Sequence, residues 1–466
     1  MSKTEHIAPA VLVKAKRKIP AEVKYSTRFS VRVKFMDGTL YPNNTRFDNL
    51  TVTLHNKDVK LGPCRFTTEP HIDGFAGRLV FTDQVYDYHE LLYGQKKWAL
   101  QNSFLNLPFI LDHKKQIHQQ FMDYTSDLTY DLSVYKNMFD SLDEEYQDEP
   151  PDVRAAIQQA IIDTEGATFL TYFEERLQEL GRLVADFSSE EHERHGFYFR
   201  RQVWSYIMTS AIMRRTNLKP RGYSGDSEMM RMIYQKEVLG DTTFSKIMHK
   251  HPIECPAAQA VRNRRILIAQ TLETTRPANP LSQNERFKVL SVACGPSFEL
   301  HDLLKSPKDC ELYDFTLLDQ DASALLEAAT LVDEVEKKLD AKVKVDYLQD
   351  SVRTMLTTRQ LASKWGDFHF VYSMGLFDYL TPPVARAVLT NLYQLLKPGG
   401  YMIVGNFHVS NPSRVYMEYW NDWVLYYRTE EELQHLLQKA PQADQVVVFE
   451  DTGCQMFLRI QKPRDP

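Results

Sequence analysis

The chain lacks any apolar run of about 18 residues, so it offers no membrane-spanning helix. Its short apolar run at residues 7–13 is followed, not preceded, by basic residues, the wrong polarity for a signal peptide. Cysteine is scarce: five in 466 residues, scattered and odd in number, with none in a metal-type pair. That usage fits a reducing compartment, and the expected location is cytoplasmic. A basic excess is also missing. With 56 Lys and Arg against 62 Asp and Glu the net charge is -6, and nothing global points to nucleic acid. The remaining composition, 43% hydrophobic and 25% charged, is that of a globular protein with two or three domains.

The most informative stretch is Lys288-Val-Leu-Ser-Val-Ala-Cys-Gly-Pro-Ser-Phe-Glu299. A β-branched run reaches a small-residue loop, and the helical pattern Leu300, Leu303, Leu304 follows. A second buried run, 315–318, ends in Asp319. Strand, small-residue turn and an acid at the next strand end describe a βαβ unit that cradles a nucleotide. The glycine lets the backbone approach a ligand, and the carboxylate can accept from ribose hydroxyls. The predicted ligand is an adenosine-containing cofactor.

Around this unit the chain divides into four parts. Residues 1–22 read as a basic flexible arm, with Lys14, Lys16, Arg17 and Lys18. Residues 23–100 carry short β-rich segments and an Asp37-Gly38 hairpin signal, which predict a small barrel. Residues 105–275 read as a helical domain; acidic residues 140–152 look like an exposed linker, and Ser188-Ser-Glu-Glu191 opens a helix as a capping box. The polar, proline-bearing residues 276–285 mark a boundary, and 276–466 alternate strand and helix. Seven strand-like runs are predicted there. The last two are separated by only Asp451-Thr-Gly-Cys454, too short for a parallel crossover. The fold class expected is therefore an α/β Rossmann-like seven-stranded sheet with an antiparallel last strand.

Residues 286–461 resemble class I S-adenosylmethionine-dependent methyltransferases. The resemblance implies S-adenosylmethionine as cofactor and places Ala293, Cys294 and Gly295 against its methionine part. Asp319, with Gln320, would hold the ribose, and Asp350, with Ser351, the adenine; Ser373, ending the fourth strand, would also contact the cofactor. Leu396-Lys-Pro-Gly-Gly-Tyr401 resembles the family's turn before the fifth strand. The departures are Ser291 for the usual acid, Ala293 for the first glycine and Ser297 for the third. The cofactor amine would then fall to Glu299 or Asp226. Lys219-Pro-Arg-Gly-Tyr-Ser-Gly-Asp226, Ala260-Val-Arg-Asn-Arg264, Ser373-Met-Gly-Leu-Phe-Asp-Tyr379 and Asp422-Trp-Val-Leu-Tyr-Tyr-Arg-Thr429 together resemble bacterial methyltransferases of 3-hydroxypalmitic acid methyl ester biosynthesis, an extracellular quorum-sensing factor.

Methyl transfer from a sulfonium is an in-line displacement, so the protein mainly aligns and excludes water. A carboxylate acceptor needs no base; an amine or hydroxyl does. Carboxyl O-methylation of a small or fatty-acyl molecule is the first reading. Alternatives are methylation of protein carboxylates or amines, and a signalling effector with a non-catalytic Rossmann domain. Tyr223 would lie near the sulfonium, with Asp226 either on the amine or capping a helix. Asp378 and Tyr379 would orient the acceptor or act as a weak base, although Asp378 could equally cap a helix. His408 is the best base if one is used. Arg428 would pair with an acceptor carboxylate or complement a helix end. Tyr416, Tyr419, Trp420, Trp423 and Tyr427 form an aromatic stripe that lines a pocket or packs as core. His192 and His195 stand three apart on a capped helix; no metal is expected.

Arg28-Phe-Ser-Val-Arg32 matches the paired-arginine pattern of PilZ domains, small barrels that bind cyclic di-GMP. The second PilZ motif is poor: Thr51 and Leu54 stand where serine and glycine belong. Cyclic di-GMP is a possible partner through Arg28 and Arg32.

Overall fold

The computed structural model describes residues 7–27, 30–39, 41–54, 57–72, 75–82, 114–278, 281, 285–358, 361–437 and 443–464. The chain separates into two compact units, Met1–Gln116 and Ile117–Pro466.

In the first unit six strands close an antiparallel barrel in the order β1-β2-β3-β6-β5-β4. They are β1 (Ile7–Lys14), β2 (Arg17–Thr27), β3 (Ser30–Phe35), β4 (Arg46–Leu54), β5 (Lys57–Ile72) and β6 (Phe75–Phe81). The core is filled by Leu12, Val23, Val31, Val33, Phe47, Leu50, Val52, Phe66 and Leu79. Two expectations change here. The basic arm is a hairpin from Ile7 onward: Ala8, Ala10 and Leu12 are buried while Ile7, Pro9 and Val11 face out, the period of two that a strand requires. The basic cluster is its turn, with Ala15 and Lys16 both at positive φ (48° and 68°). That is primed-turn geometry without the glycine or asparagine that would announce it. Second, Asp37-Gly38 bends the chain, with Gly38 at φ 69°, but joins no hairpin. β3 pairs β2 and β6, not β4.

The second unit begins with helices from Gln119–Glu145 to Pro256–Thr275. The acidic stretch expected as a linker continues the first helix through Glu145, and the next starts at Pro151, its ring sitting in the first turn where no N–H is needed. Ser188 and Glu191 form the expected capping box. The helices share one core with Phe407, Tyr416, Tyr419, Trp420 and Trp423. The expected helical residues 105–113 and barrel residues 83–100 lie outside the described residues.

The sheet follows: β7 (Phe287–Val292), β8 (Tyr313–Asp319), β9 (Lys344–Gln349), β10 (Phe368–Ser373), β11 (Leu396–Phe407), β12 (Asp444–Phe449) and β13 (Gln455–Gln461). Its order is β12-β13-β11-β10-β7-β8-β9. β9, β8, β7, β10 and β11 run parallel, and β13 enters antiparallel between β11 and β12. β10 is buried at every position, the continuous apolar run of a central strand covered on both faces. The Pro398-Gly-Gly turn needs its glycines. Gly399 has φ 77°, and a Cβ on Gly400 would meet Lys397 O at 2.9 Å and His369 O at 3.1 Å. Among the described residues no helix is long and apolar enough to cross a membrane.

Candidate active site

Order reversal in an α/β sheet opens a crevice beyond the carboxyl ends of the strands. Here β7 lies between β10 and β8, and a cavity of about 370 Å³ opens at that point. Its floor is the loop after β7. In that loop Ala293, Gly295 and Ser297 all have positive φ (54°, 54° and 55°). Two of the three lack the residue that adopts this backbone freely, yet the loop keeps its shape. Hydrogen bonds hold it: Cys294 N donates to Leu318 O at 3.0 Å, and Gly295 N to Asp319 Oδ2 at 3.0 Å.

Asp319 is 6% exposed, and its Oδ1 accepts from Asp321 N at 3.0 Å. Burial raises its carboxyl above the usual range, opposed by these backbone N–H groups. Each oxygen has accepted once and can accept again toward the cavity. Asp350 lies at the β9 end. Its Oδ1 accepts from Ser351 N at 2.8 Å, and its Oδ2 from Lys364 Nζ at 2.5 Å and Trp365 Nε1 at 3.2 Å. Partial burial works upward, but these donors hold its carboxyl at about 2. Asp350, Ser351 and Gln320 all line the cavity.

At the opposite end stand Asp378, Tyr379, Phe407, Trp423 and Tyr223. Asp378 is 2% exposed; its Oδ1 accepts from Phe407 N at 2.7 Å. Burial pushes its carboxyl up to about 7 despite the charges of Arg264 and Arg428. Tyr379 Oη accepts from Trp423 Nε1 at 2.8 Å, and the Tyr223 and Tyr379 rings meet edge-on with centroids 6.2 Å apart. Burial raises both phenols well above their ordinary value. A Cβ on Gly225 would lie 2.4 Å from Tyr379 Oη, so the loop can pack this close only with glycine there. Arg221 ties that loop to the helix after β8, through Asp321 at 3.1 Å and Glu327 at 2.7 Å.

Several sequence expectations fall elsewhere. Asp226 is fully buried away from the cavity. It caps the Ser227–Gln235 helix and accepts from Arg215 Nε at 2.7 and 2.9 Å, so the capping reading holds and the amine role does not. Glu299 lies behind the loop. Its Oε1 accepts from Tyr372 Oη at 2.6 Å, its Oε2 has no partner among the described residues, and burial lifts its carboxyl to about 6. Ser373 is buried and does not line the cavity, and its Oγ has no partner among the described residues. His408 is outside: its Nδ1 meets Ser410 Oγ at 2.7 Å and its ring packs on Phe449. Arg428 does not line the cavity either. It is 4% exposed and donates to Phe377 O, Leu380 O and Asn406 Oδ1, clamping the 377–380 turn to β11. Of the aromatic stripe only Trp423 lines the cavity; Tyr416, Tyr419 and Trp420 are core. His192 meets Tyr419 Oη, and His195 bridges Glu191 O and His118 N. Sequence reasoning missed Arg264, Met230 and Tyr234, which reach the cavity from the helical segment. Arg264 stood in a motif without an assigned role, and Met230 and Tyr234 stood in none.

Residues 289–400 match a family model described as a methyltransferase domain. This part of the chain is a methyltransferase domain. The match contains the loop after β7, Asp319, Asp350 and Asp378. The methyltransferase domain is similar to solved structures over limited spans. A possible exported protein from Bordetella parapertussis is 18% identical, over 51% of this chain and 79% of its own, with TM-score 0.38. An S-adenosylmethionine-dependent methyltransferase from Methanosarcina mazei is 16% identical, over 41% and 97%, with TM-score 0.30. The N-methyltransferase NodS from Bradyrhizobium japonicum, solved with S-adenosylhomocysteine, is 14% identical, over 44% and 88%, with TM-score 0.30. No curated protein matches the chain.

Proposed function

We propose that the enzyme methylates a carboxylate of a small or fatty-acyl molecule, giving a methyl ester; the motif resemblance makes 3-hydroxypalmitic acid the first acceptor to try. S-adenosylmethionine, when bound, supplies an electrophilic methyl group on a sulfonium. Asp319 would accept the ribose hydroxyls with the oxygen capacity it has left, and Asp350 with Ser351 would take the adenine. The helical segment would act as lid and specificity element, since Tyr223, Met230, Tyr234 and Arg264 of the cavity wall come from it.

One observation carries the acceptor reading: among the described residues lining the cavity there is no histidine or lysine, and the acid at the acceptor end is Asp378. A carboxylate releases no proton on methylation, so no base is consumed. A protonated Asp378 would donate to one carboxylate oxygen and orient the other toward the methyl group, with Tyr223, Tyr379 and Trp423 excluding water. A second reading, an amine or hydroxyl acceptor, is favoured by the carboxyl of Asp378 being raised to about 7, near the optimum for a general base.

The two readings predict opposite pH profiles. If Asp378 donates, kcat falls as pH rises through about 7, and Asp378→Asn, which keeps a donor, stays within roughly tenfold of wild type. If Asp378 is the base, kcat rises with pH and Asp378→Asn loses roughly 100-fold or more. Labelled methyl transfer to fatty acids, 3-hydroxy fatty acids and amines decides between them. No transfer to any carboxylate would remove the first reading.

For the barrel we propose cyclic di-GMP binding on the outer face that carries Arg32. Arg32 stands in register with Lys24 on β2 and Arg78 on β6, a row of three cations across adjacent strands. Arg28 lies outside the described residues. Calorimetric titration with cyclic di-GMP tests this. Equal heats for wild type and Arg32→Ala would discard it.

A further inference from the structure

The motif Ala260-Val-Arg-Asn-Arg264 places two arginines on the Pro256–Thr275 helix, and both are buried. They are finished to different degrees. Arg262 donates to Ile233 O at 3.2 Å and Ile253 O at 2.7 Å, and twice to Gln259 Oε1, at 3.1 and 2.8 Å. It has the saturated surroundings of a structural clamp, as does Arg428.

Arg264, 7% exposed, has no such set. Its Nη1 reaches Met374 O only at 3.4 Å, its Nη2 faces Met230 Sδ at 3.1 Å, and its Nε has no acceptor among the described residues. A thioether is a weak acceptor for a guanidinium. The Tyr234 phenol beside it engages Arg264, but burial keeps that phenol protonated, so it brings no charge to match the guanidinium. Glu299 and Asp378 feel its charge, yet neither forms an ion pair with it among the described residues. Leaving a buried cation this poorly matched costs stability unless something completes it. Arg264 lines the cavity, and Gly375 clears its approach: a Cβ there would lie 3.3 Å from Nη1.

We propose that Arg264 is a carboxylate receptor, its guanidinium fork holding a carboxylate of the ligand that fills the cavity. A planar fork matches a carboxylate through two parallel N–H···O bonds. The proposal rests on the methyltransferase reading for its two sources of carboxylate, the amino-acid end of the cofactor and the acid of the acceptor. Either way the helical segment, outside the residues that match the methyltransferase family, contributes a recognition residue.

The test uses the full chain in calorimetric titrations of wild type, Arg264→Met and Arg264→Lys. S-adenosylhomocysteine is compared with 5′-methylthioadenosine, which keeps the nucleoside and thioether but lacks the amino-acid end. With the cofactor as source, Arg264→Met weakens S-adenosylhomocysteine roughly 10- to 100-fold and leaves methylthioadenosine within about threefold, with Arg264→Lys between. Retained methylthioadenosine binding also shows that the variant is folded; if Arg264→Met does not fold, the lysine variant carries the same comparison. With the acceptor as source, both nucleosides bind as in wild type and 3-hydroxyhexadecanoate weakens instead. Unchanged binding of all three ligands overturns the proposal. A wild-type chain that binds neither nucleoside overturns the methyltransferase reading, and the fatty-acid titration then decides Arg264 alone.

Discussion

The two ends of the cavity handle buried charge in opposite ways. At the β8–β9 end Asp319 and Asp350 have every carboxylate oxygen engaged by backbone or side-chain donors. At the other end, among the described residues, the Asp378 carboxyl accepts one hydrogen bond, from Phe407 N, and Arg264 meets only neutral partners: Met374 O at long range, the Met230 thioether and the Tyr234 phenol. The first end builds itself: Asp319 shapes the loop after β7 and presents that loop to a ligand in one act. The second end is left open for a ligand to complete. Damage at the first should therefore remove structure and binding together, while damage at the second should separate them.

The sharpest break of this contrast is Asp319→Ala, which strips the acceptor from both Gly295 N and Asp321 N. Binding of S-adenosylhomocysteine should fall more than roughly 100-fold, and the unfolding midpoint should drop with a loss of about 2–4 kcal/mol. A variant that loses binding but not stability would show that the loop does not depend on this acid. Next in size is the pH dependence of stability at the other end. The carboxyl of Asp378 titrates near 3.8 in the unfolded chain and at about 7 in the folded one. The folded chain therefore keeps a proton that the unfolded chain releases, and stability falls as pH rises from about 4 to 7. Glu299, raised to about 6, adds the same sign over a narrower window. Denaturant unfolding at pH 5 and pH 8 should show Asp378→Asn gaining on wild type by about 2–4 kcal/mol at the higher pH. Equal slopes would mean that Asp378 is not desolvated in the free enzyme. The smallest effect sits on the loop itself. Ala293→Gly relieves a left-handed alanine, worth about 1–2 kcal/mol, against the extra unfolded-chain entropy of glycine. Thermal unfolding should rise by the equivalent of roughly 0.5–1 kcal/mol. A fall would show that the alanine is unstrained.

Much of the α/β region was legible because its signals are local. Buried runs, the glycine turn at 399–400 and the short link 451–454 fix strands and the antiparallel closure without knowledge of the rest. The loop 293–297 was read through its residues' order rather than its glycines, and its three left-handed positions show why that sufficed. The misreadings share a cause. Asp226, His408 and Arg428 have residue types suited to chemistry, but their partners come from distant positions: Arg215 for the first, Phe449 for the ring of the second, Phe377 and Asn406 for the third. Arg264 was passed over for the converse reason, since what marks it is the missing partner, visible only in three dimensions. The β1–β2 hairpin hid behind a turn of alanine and lysine, and its strand pattern was masked by the lysines around it.

The placement of β13 has a consequence for how the molecule comes into being. It is the last of the described strands, yet it sits inside the sheet, between β11 and β12. During synthesis β11 emerges with a bare hydrogen-bonding edge, and about 50 residues pass before residues 455–461 can cover it. The same strand brings Gln455, whose Nε2 donates to Met374 O in the cavity wall at 2.8 Å. Until then the nascent chain exposes an unpaired, apolar strand of the kind that chaperones engage and that aggregates when they do not.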